Sequence, residues 1–133
     1  MVNNPNGKTV LVIEDDANIQ TFASRVLELE GYHVLQAETG NKGLRLAREN
    51  KVNLVLLDLR LPDDSGWIIL KQIKKDPELS AIPVIVFTAS FGLPQHDQAL
   101  AMGAADYLVK PLSANDLKNA VSRILRRRRN SRS

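Results

Sequence analysis

The 133-residue sequence contains no cysteine, a single tryptophan and only 5% aromatic residues. Without cysteine it has no disulfide framework. No apolar run approaches the roughly 20 residues that a bilayer span requires, and the N-terminal residues lack the apolar core of a secretory signal. We therefore expect a cytoplasmic protein without a membrane span.

Charge is unevenly distributed along the chain. The formal net charge is +3, but six of the 18 Lys+Arg residues follow Ser122, which leaves 12 against 15 Asp+Glu, or −3, for residues 1–122. We expect an N-terminal extension over residues 1–7, one globular domain over residues 8–125 and a basic tail over residues 126–133. No aromatic residues interleave the tail arginines, so we expect the tail to be solvated. We expect no nucleic-acid binding by the domain itself. Contact of the tail with nucleic acid or an anionic membrane stays open.

Apolar runs alternate with amphipathic stretches, which predicts five strand–helix units. Strands are expected near residues 9–13, 33–37, 52–57, 83–87 and 105–109, with helices near 16–30, 41–50, 66–75, 94–102 and from 113. The first, third and fourth strands read as central because they are continuously apolar, whereas His33, Gln36 and Asp106 mark edge strands. The pattern predicts an α/β fold with a doubly wound, five-stranded parallel sheet in the flavodoxin-like order 2-1-3-4-5 and helices on both faces.

Local signals define several of these helices. Ser113 and Asp116 are spaced as a capping box at the start of the last helix. Gly92 and Pro94 predict that the fourth helix begins late and is short or mobile. The first helix carries one apolar stripe that is predicted to face the core: Ile19, Phe22, Ala23, Val26 and Leu27.

Four of the predicted strands end in chemically distinctive residues. They are Glu14-Asp15-Asp16 after the first strand, Asp58 after the third, Thr88 after the fourth and Lys110 after the fifth. Side chains at the carboxyl ends of parallel strands meet in one crevice at the switch point. Carboxylates gathered there need a cation, and Mg²⁺ suits them because it takes oxygen ligands together with phosphate. The alternative is that the acidic residues cap a helix, the threonine is an ordinary strand residue and the lysine is solvent-exposed.

Four segments of the chain resemble the receiver domain of two-component response regulators: VLVIEDD, LLDLRLPDDSG, PVIVFTA and YLVKPL. The resemblance runs over residues 8–125. It implies that Asp58 is the phosphoacceptor, that Glu14 and Asp15 are the acidic pair that places Mg²⁺, and that the backbone carbonyl of Arg60 is a further metal ligand. Lys110 would contact the phosphoryl oxygens.

The resemblance also implies how the protein signals. The phosphoryl donor would be a phosphohistidine on a sensor histidine kinase or a histidine phosphotransfer protein. Thr88 would contact the phosphoryl oxygens and act as a switch together with Tyr107, which turns inward in the family. The face formed by helix four, strand five and helix five would meet a downstream protein target. For Tyr107, ordinary core packing is the alternative, and a weak homodimer is left open.

We expect a stand-alone, chemotaxis-regulator-like response regulator that turns over no free small molecule and has no attached output domain. A receiver excised from a longer hybrid kinase or regulator is one alternative. A Mg²⁺-dependent aspartyl-phosphate phosphatase would need a general-acid Asp two residues after Asp58, where this sequence has Arg60. A flavodoxin-type flavin module would need a loop rich in Ser, Thr and Gly after the first strand to bind the flavin phosphate. This sequence has Glu14-Asp15-Asp16 there, and these acidic residues would repel a phosphate.

Several other polar residues are predicted not to form sites of their own. Asp63 and Asp64 fit a turn and a helix cap better than a second metal site. His33 and His96 lack a second ligand at metal spacing, and neither is needed as a base. The resemblance implies that Arg60 and Ser90 occupy positions that vary in the family and at which the access of water to the phosphoryl group is tuned.

Overall fold

The computed structural model describes residues 7–63, 65–89 and 93–130. Within these ranges five strands are present: β1 (Thr9–Ile13), β2 (His33–Ala37), β3 (Leu54–Asp58), β4 (Val84–Thr88) and β5 (Asp106–Val109). The same ranges contain five helices: α1 (Ala17–Leu29), α2 (Gly40–Glu49), α3 (Gly66–Lys75), α4 (Leu93–Ala101) and α5 (Ala114–Asn130). The predicted alternation of strands and helices is confirmed. Because α5 continues to Asn130, the first residues of the segment expected to be a tail belong to this helix.

All neighbouring strands are parallel, and their order in the sheet is β2-β1-β3-β4-β5, as predicted. Every residue of β3 and β4 is buried, and so are the last four of β1. The outer strands β2 and β5 are only partly buried. The strand order reverses between β1 and β3, and this reversal leaves a crevice at the carboxyl ends of the strands.

The sheet separates two apolar layers, because successive side chains on a strand point to opposite faces. Val10 and Val12 pack with α1 and α5, whereas Leu11 and Ile13 pack with α2, α3 and α4. A sheet that is covered on both faces needs strands that are apolar throughout, as the central runs of this sequence are. The polar residues therefore lie at the carboxyl ends of the strands, where they line the crevice.

The buried face of α1 differs from the predicted stripe. Ala23, Val26 and Leu27 face the core as expected, but Phe22 is 39% exposed, so its predicted burial was wrong. Gln20 is buried instead, with its carboxamide directed to backbone carbonyls. These hydrogen bonds offset the cost of burying a polar side chain.

The helix starts follow local capping chemistry. The Ser113 hydroxyl accepts a hydrogen bond from the backbone N–H of Asp116 at 3.0 Å, as the predicted capping box requires. Helix α4 begins at Leu93 and has nine residues, so it is short as expected. Gly92, Asp64 and Ser90 lie outside the described residues. Across the described ranges, none of the helices combines the length and the hydropathy that a bilayer span requires.

Candidate functional site

The sheet brings the predicted site residues to one edge. Asp58 is the last residue of β3 and Thr88 the last of β4, while Glu14 and Lys110 directly follow β1 and β5. Neighbouring strands are paired in register up to these ends. Side chains from four separate parts of the sequence therefore surround the crevice.

Three carboxylates form the centre of the site. One oxygen each of Glu14, Asp15 and Asp58 lies within 4.8 Å of the others. Glu14 is 1% exposed and Asp58 is 3% exposed, whereas Asp15 faces solvent. Asp16 is not part of this cluster, because its side chain caps α1 by accepting the backbone N–H groups of Asn18 and Ile19. A buried, all-oxygen cluster with one open side can hold a hard cation, and its donor chemistry fits Mg²⁺.

Lys110 supplies the positive charge of the site. Its Nζ lies 2.5 Å from Glu14 Oε1 and 3.1 Å from Asp58 Oδ2, and 4.7 Å from the centroid of the Phe87 ring. Its backbone N–H donates to the carbonyl of Thr88 at 2.8 Å, which fixes the lysine against the end of β4. The side chain is 15% exposed. Lys110 is therefore not the solvent-exposed lysine of the alternative interpretation.

The loop after β3 fixes the Asp58 carboxylate. The backbone N–H of Arg60 donates to Asp58 Oδ1 at 3.1 Å, and Arg60 also forms an isolated β-bridge with Ser65. A Cβ on Gly66 would lie 2.4 Å from both the Asp58 carbonyl oxygen and the Leu59 Cα, so only glycine lets the loop and α3 approach this closely. Arg60 thus lies beside the carboxylate, and the metal-ligand role of its carbonyl stays a prediction.

Burial raises the pKa of Glu14 from 4.5 to about 7. The neighbouring charge of Asp58 also raises this pKa, while the hydrogen bonds from Lys110 and from the Asp16 backbone N–H lower it. The ion pair with Lys110 therefore does not offset the desolvation of the Glu14 carboxylate near neutral pH. A bound divalent cation would supply the missing positive charge.

The two predicted switch residues lie on the neighbouring strands β4 and β5, of which β5 is the edge strand. Thr88 is fully buried at the end of β4, and Tyr107 in β5 is 8% exposed. The Tyr107 ring lies edge-on against the imidazole of His96, with 5.6 Å between ring centroids. Tyr107 is thus turned inward in this structure, and burial raises the pKa of its hydroxyl. His96 connects this ring to α4, and its Nδ1 lies 3.2 Å from Asp97 Oδ1.

The structure also shows two supporting residues to which the sequence analysis gave no role in the site. The Asp63 carboxylate accepts the backbone N–H groups of Gly40 and Asn41 at 2.8 and 2.9 Å, which ties the loop after β3 to the start of α2. Asp63 is therefore not the cap of α3 that its position before Gly66 suggested, since Ser65 caps that helix; the Asp63 carboxylate binds the start of α2 instead. Gln20 contacts three backbone carbonyls at the ends of β1 and β2. A polar residue beside the apolar stripe of α1 was the only sequence signal for Gln20.

Residues 10–122 match the family described as the response regulator receiver domain, and the chain belongs to this family. The phosphate regulon transcriptional regulatory protein PhoB of Pseudomonas aeruginosa is 36% identical over 121 residues, which are 91% of this chain and 53% of PhoB. Protein PilH of the same organism is 34% identical over 116 residues, which are 87% of this chain and 96% of PilH. The signal receiver domain of a putative LuxO repressor protein from Vibrio parahaemolyticus has a TM-score of 0.87 at 30% identity, with 93% and 94% of the two chains covered.

The relatives differ in how much of their length this chain matches. The chain spans about half of PhoB and of the transcriptional regulator RpaA of Synechocystis, at 53% and 49%, but nearly all of PilH. What all of them share with this chain is the receiver domain of two-component signalling systems. The transcriptional roles in the names of the longer relatives belong to those proteins.

Proposed function

We propose that the protein is a response regulator that accepts a phosphoryl group on Asp58 in the presence of Mg²⁺. The ion would be held by Glu14, Asp15, Asp58 and the backbone carbonyl of Arg60. The observation that carries the proposal is the meeting of Asp58 with Lys110, at 3.1 Å, inside a carboxylate cluster whose oxygens lie within 4.8 Å of one another. Receiver domains work with histidine kinases and histidine phosphotransfer proteins, so the donor is a phosphohistidine on such a partner.

Asp58 is the nucleophile in this proposal. One of its carboxylate oxygens attacks the phosphorus, the new O–P bond forms as the P–N bond to the histidine breaks, and the imidazole nitrogen keeps the electron pair and takes a proton from water. Bound Mg²⁺ would neutralise negative charge on the phosphoryl oxygens. The hydrogen bond from Arg60 N–H and the ion pair with Lys110 hold the two Asp58 oxygens in place, and this positioning is the main contribution of the protein to phosphoryl transfer.

Lys110 and Thr88 would contact the phosphoryl oxygens after transfer. A phosphoryl group adds negative charge and acceptor oxygens, so it competes with Glu14 for the Lys110 ammonium and attracts the Thr88 hydroxyl. The peptide contact between Lys110 and Thr88 couples the two residues. Tyr107 lies on the next strand and packs against His96 of α4, which supports the proposed switch role of Thr88 and Tyr107.

The downstream protein target would bind the face formed by α4, β5 and α5. This face exposes Leu100 on α4 and Val109 on β5, and it carries the ion pair between Arg123 of α5 and Asp106 of β5 at 2.6 Å. Two exposed apolar side chains beside a charged pair suit a small, reversible protein interface. A weak homodimer through the same face stays part of this proposal.

The remaining parts of the proposal concern the whole chain. Each Asp58 would take up one phosphoryl group, and no free small molecule would be turned over. The receiver would occupy residues 8–125, between an extension of residues 1–7 and a basic segment of residues 126–133. Because a phosphohistidine donor is made with ATP, we place the protein in the cytoplasm.

Intact-mass spectrometry tests the assignment of the phosphoacceptor. Wild type, Asp58→Asn and the control Asp97→Asn are incubated with Mg²⁺ and a small acyl-phosphate donor. We expect wild type and Asp97→Asn to gain one phosphoryl group and Asp58→Asn to gain none, and EDTA should abolish the gain. A phosphoryl gain in Asp58→Asn would refute the assignment.

A further inference from the structure

We propose that Gln20 is a positioning residue for the acidic end of β1, a role that rests on the proposed Mg²⁺-dependent function of the cluster. Gln20 lies on α1 and is 8% exposed. Its Nε2 lies 3.1 Å from the Val12 carbonyl oxygen, 3.2 Å from that of Glu14 and 3.3 Å from that of Ala37. One buried amide group therefore donates to the ends of both β1 and β2.

The hydrogen bond from Gln20 to the Glu14 carbonyl fixes the backbone that carries two residues of the carboxylate cluster. The Glu14 carbonyl belongs to the peptide group that joins Glu14 to Asp15, and the N–H on the other side of Glu14 donates to the Ala37 carbonyl at 2.9 Å. Both peptide groups that flank Glu14 are thus held. Gln20 fixes the second of them, and with it the direction in which the chain presents Asp15 to the cluster.

An amide is suited to this place because three carbonyl oxygens converge on it. Their dipoles repel one another unless a donor lies between them, and a carboxamide offers two N–H groups. An apolar side chain at position 20 would leave these buried oxygens without that donor. The backbone would then relax, and the carboxylates of Glu14 and Asp15 would move with it.

The other end of the carboxamide is fixed as well. The Ser24 hydroxyl donates to Gln20 Oε1 at 3.3 Å and accepts from Gln36 Nε2 at 2.7 Å. Ser24 is 2% exposed. This short chain of side chains from α1 and β2 orients the carboxamide so that its NH₂ group faces the strand ends.

The effect of losing Gln20 should appear in Mg²⁺ affinity more than in the phosphoryl-transfer step. Residues that orient metal ligands typically change metal affinity about 10- to 100-fold when they are mutated. Gln20 touches the backbone of the ligands rather than their carboxylates, so we expect about a tenfold weaker affinity in Gln20→Met. The rate of phosphorylation at saturating Mg²⁺ should change little, because the contact between Asp58 and Lys110 involves none of the backbone that Gln20 holds.

Isothermal titration calorimetry with MgCl₂ on wild type, Gln20→Met and Gln20→Leu measures this affinity, and urea denaturation measures the stability of each variant. Val26→Ala is the control, since it removes core methyl groups from the same helix without touching the three carbonyls. We expect a tenfold rise in the Mg²⁺ dissociation constant for the Gln20 variants, and wild-type affinity for Val26→Ala at a comparable loss of stability. The Mg²⁺ concentration that gives half the maximal phosphorylation rate should rise by the same factor.

Two results would overturn the inference alone: wild-type Mg²⁺ affinity in both Gln20 variants, or an equal loss of affinity in Val26→Ala. If wild type itself binds no Mg²⁺, the proposed function fails and the inference fails with it. The wild-type titration therefore distinguishes the two failures.

Discussion

Replacing Lys110 by methionine removes the one positive charge described in contact with the acidic cluster and keeps a side chain of similar length. In the wild type, Nζ lies 2.5 Å from Glu14 Oε1 and 3.1 Å from Asp58 Oδ2. These carboxylates are almost completely buried. The variant leaves them facing each other and Asp15 without this counter-charge, so we expect a loss of stability that depends on pH.

The size of the loss follows from the ionisation of Glu14. Removing one partner of a buried ion pair costs about 3–5 kcal/mol, because it leaves an uncompensated charge. The lysine is 15% exposed, and Glu14 can take up a proton, so we expect the lower end, about 3 kcal/mol, at about pH 8. Below the Glu14 pKa of about 7 this carboxyl is already protonated in the wild type. At about pH 5.5 mainly the contact with Asp58 is lost, so we expect a smaller loss than at about pH 8.

Mg²⁺ should reverse part of this loss, since a dication can take the place of the missing ammonium. A cluster without the lysine binds Mg²⁺ more tightly, and each tenfold gain in affinity adds about 1.4 kcal/mol of stability at saturating ion. Urea denaturation followed by circular dichroism, in EDTA or in MgCl₂, measures both effects, with the exposed Lys71→Met as control. A loss that is the same at both pH values, or a Mg²⁺ stabilisation no larger than in the wild type, would refute this account.

Glu14 and two glycines provide further tests. The pKa of Glu14 is about 7 in the folded protein, against 4.5 in the unfolded chain. Between these pH values the folded state binds more protons than the unfolded state. The free energy of unfolding in EDTA should therefore fall as the pH rises through this range. Urea denaturation should show that Glu14→Gln removes this slope, and a slope that persists would implicate another group. Gly66→Ala places a Cβ 2.4 Å from the Asp58 carbonyl oxygen, so we expect about 1–3 kcal/mol of destabilisation and weaker Mg²⁺ binding. Gly43→Ala, whose Cβ would lie 2.4 Å from the Cδ1 of Ile13, should cost less because that side chain can rotate, and equal losses would contradict this reasoning.

The sheet could be predicted from the sequence because a strand that is buried on both faces needs a continuous run of apolar residues. Continuous apolar runs identified β1, β3 and β4 as central, and polar residues such as His33 identified the edges. The rotation of α1 was harder to predict. Periodicity groups residues into a stripe, but it does not say which flank of the stripe faces the sheet. Phe22 lies on the exposed flank, and Gln20 lies on the buried one because strand-end carbonyls there need a donor.

The site was predictable only as far as side-chain chemistry at the strand ends reveals it. The three consecutive acidic residues after β1 have different environments: Glu14 is buried against Lys110, Asp15 completes the cluster from the solvent side, and Asp16 caps α1. Their types are nearly identical, so the sequence could not separate these roles. The contact of Asp63 with Gly40 joins residues 23 positions apart and involves a backbone N–H, for which a sequence carries no local signal.

The imbalance of charge that destabilises this site is also what would make it reactive. If one lysine compensated the charge of every carboxylate, the cluster would have little affinity for a further cation. The ion pair between Asp58 and Lys110 would then not be replaced. Here burial holds the pKa of Glu14 at about 7, so the cluster is unfavourable as it stands near neutral pH. A divalent cation and a phosphoryl group together would relieve this: the cation would compensate Glu14 and Asp15, and the phosphoryl oxygens would take over Lys110. Because the Lys110 backbone N–H donates to the Thr88 carbonyl, the change of partner would act first on the carboxyl end of β4.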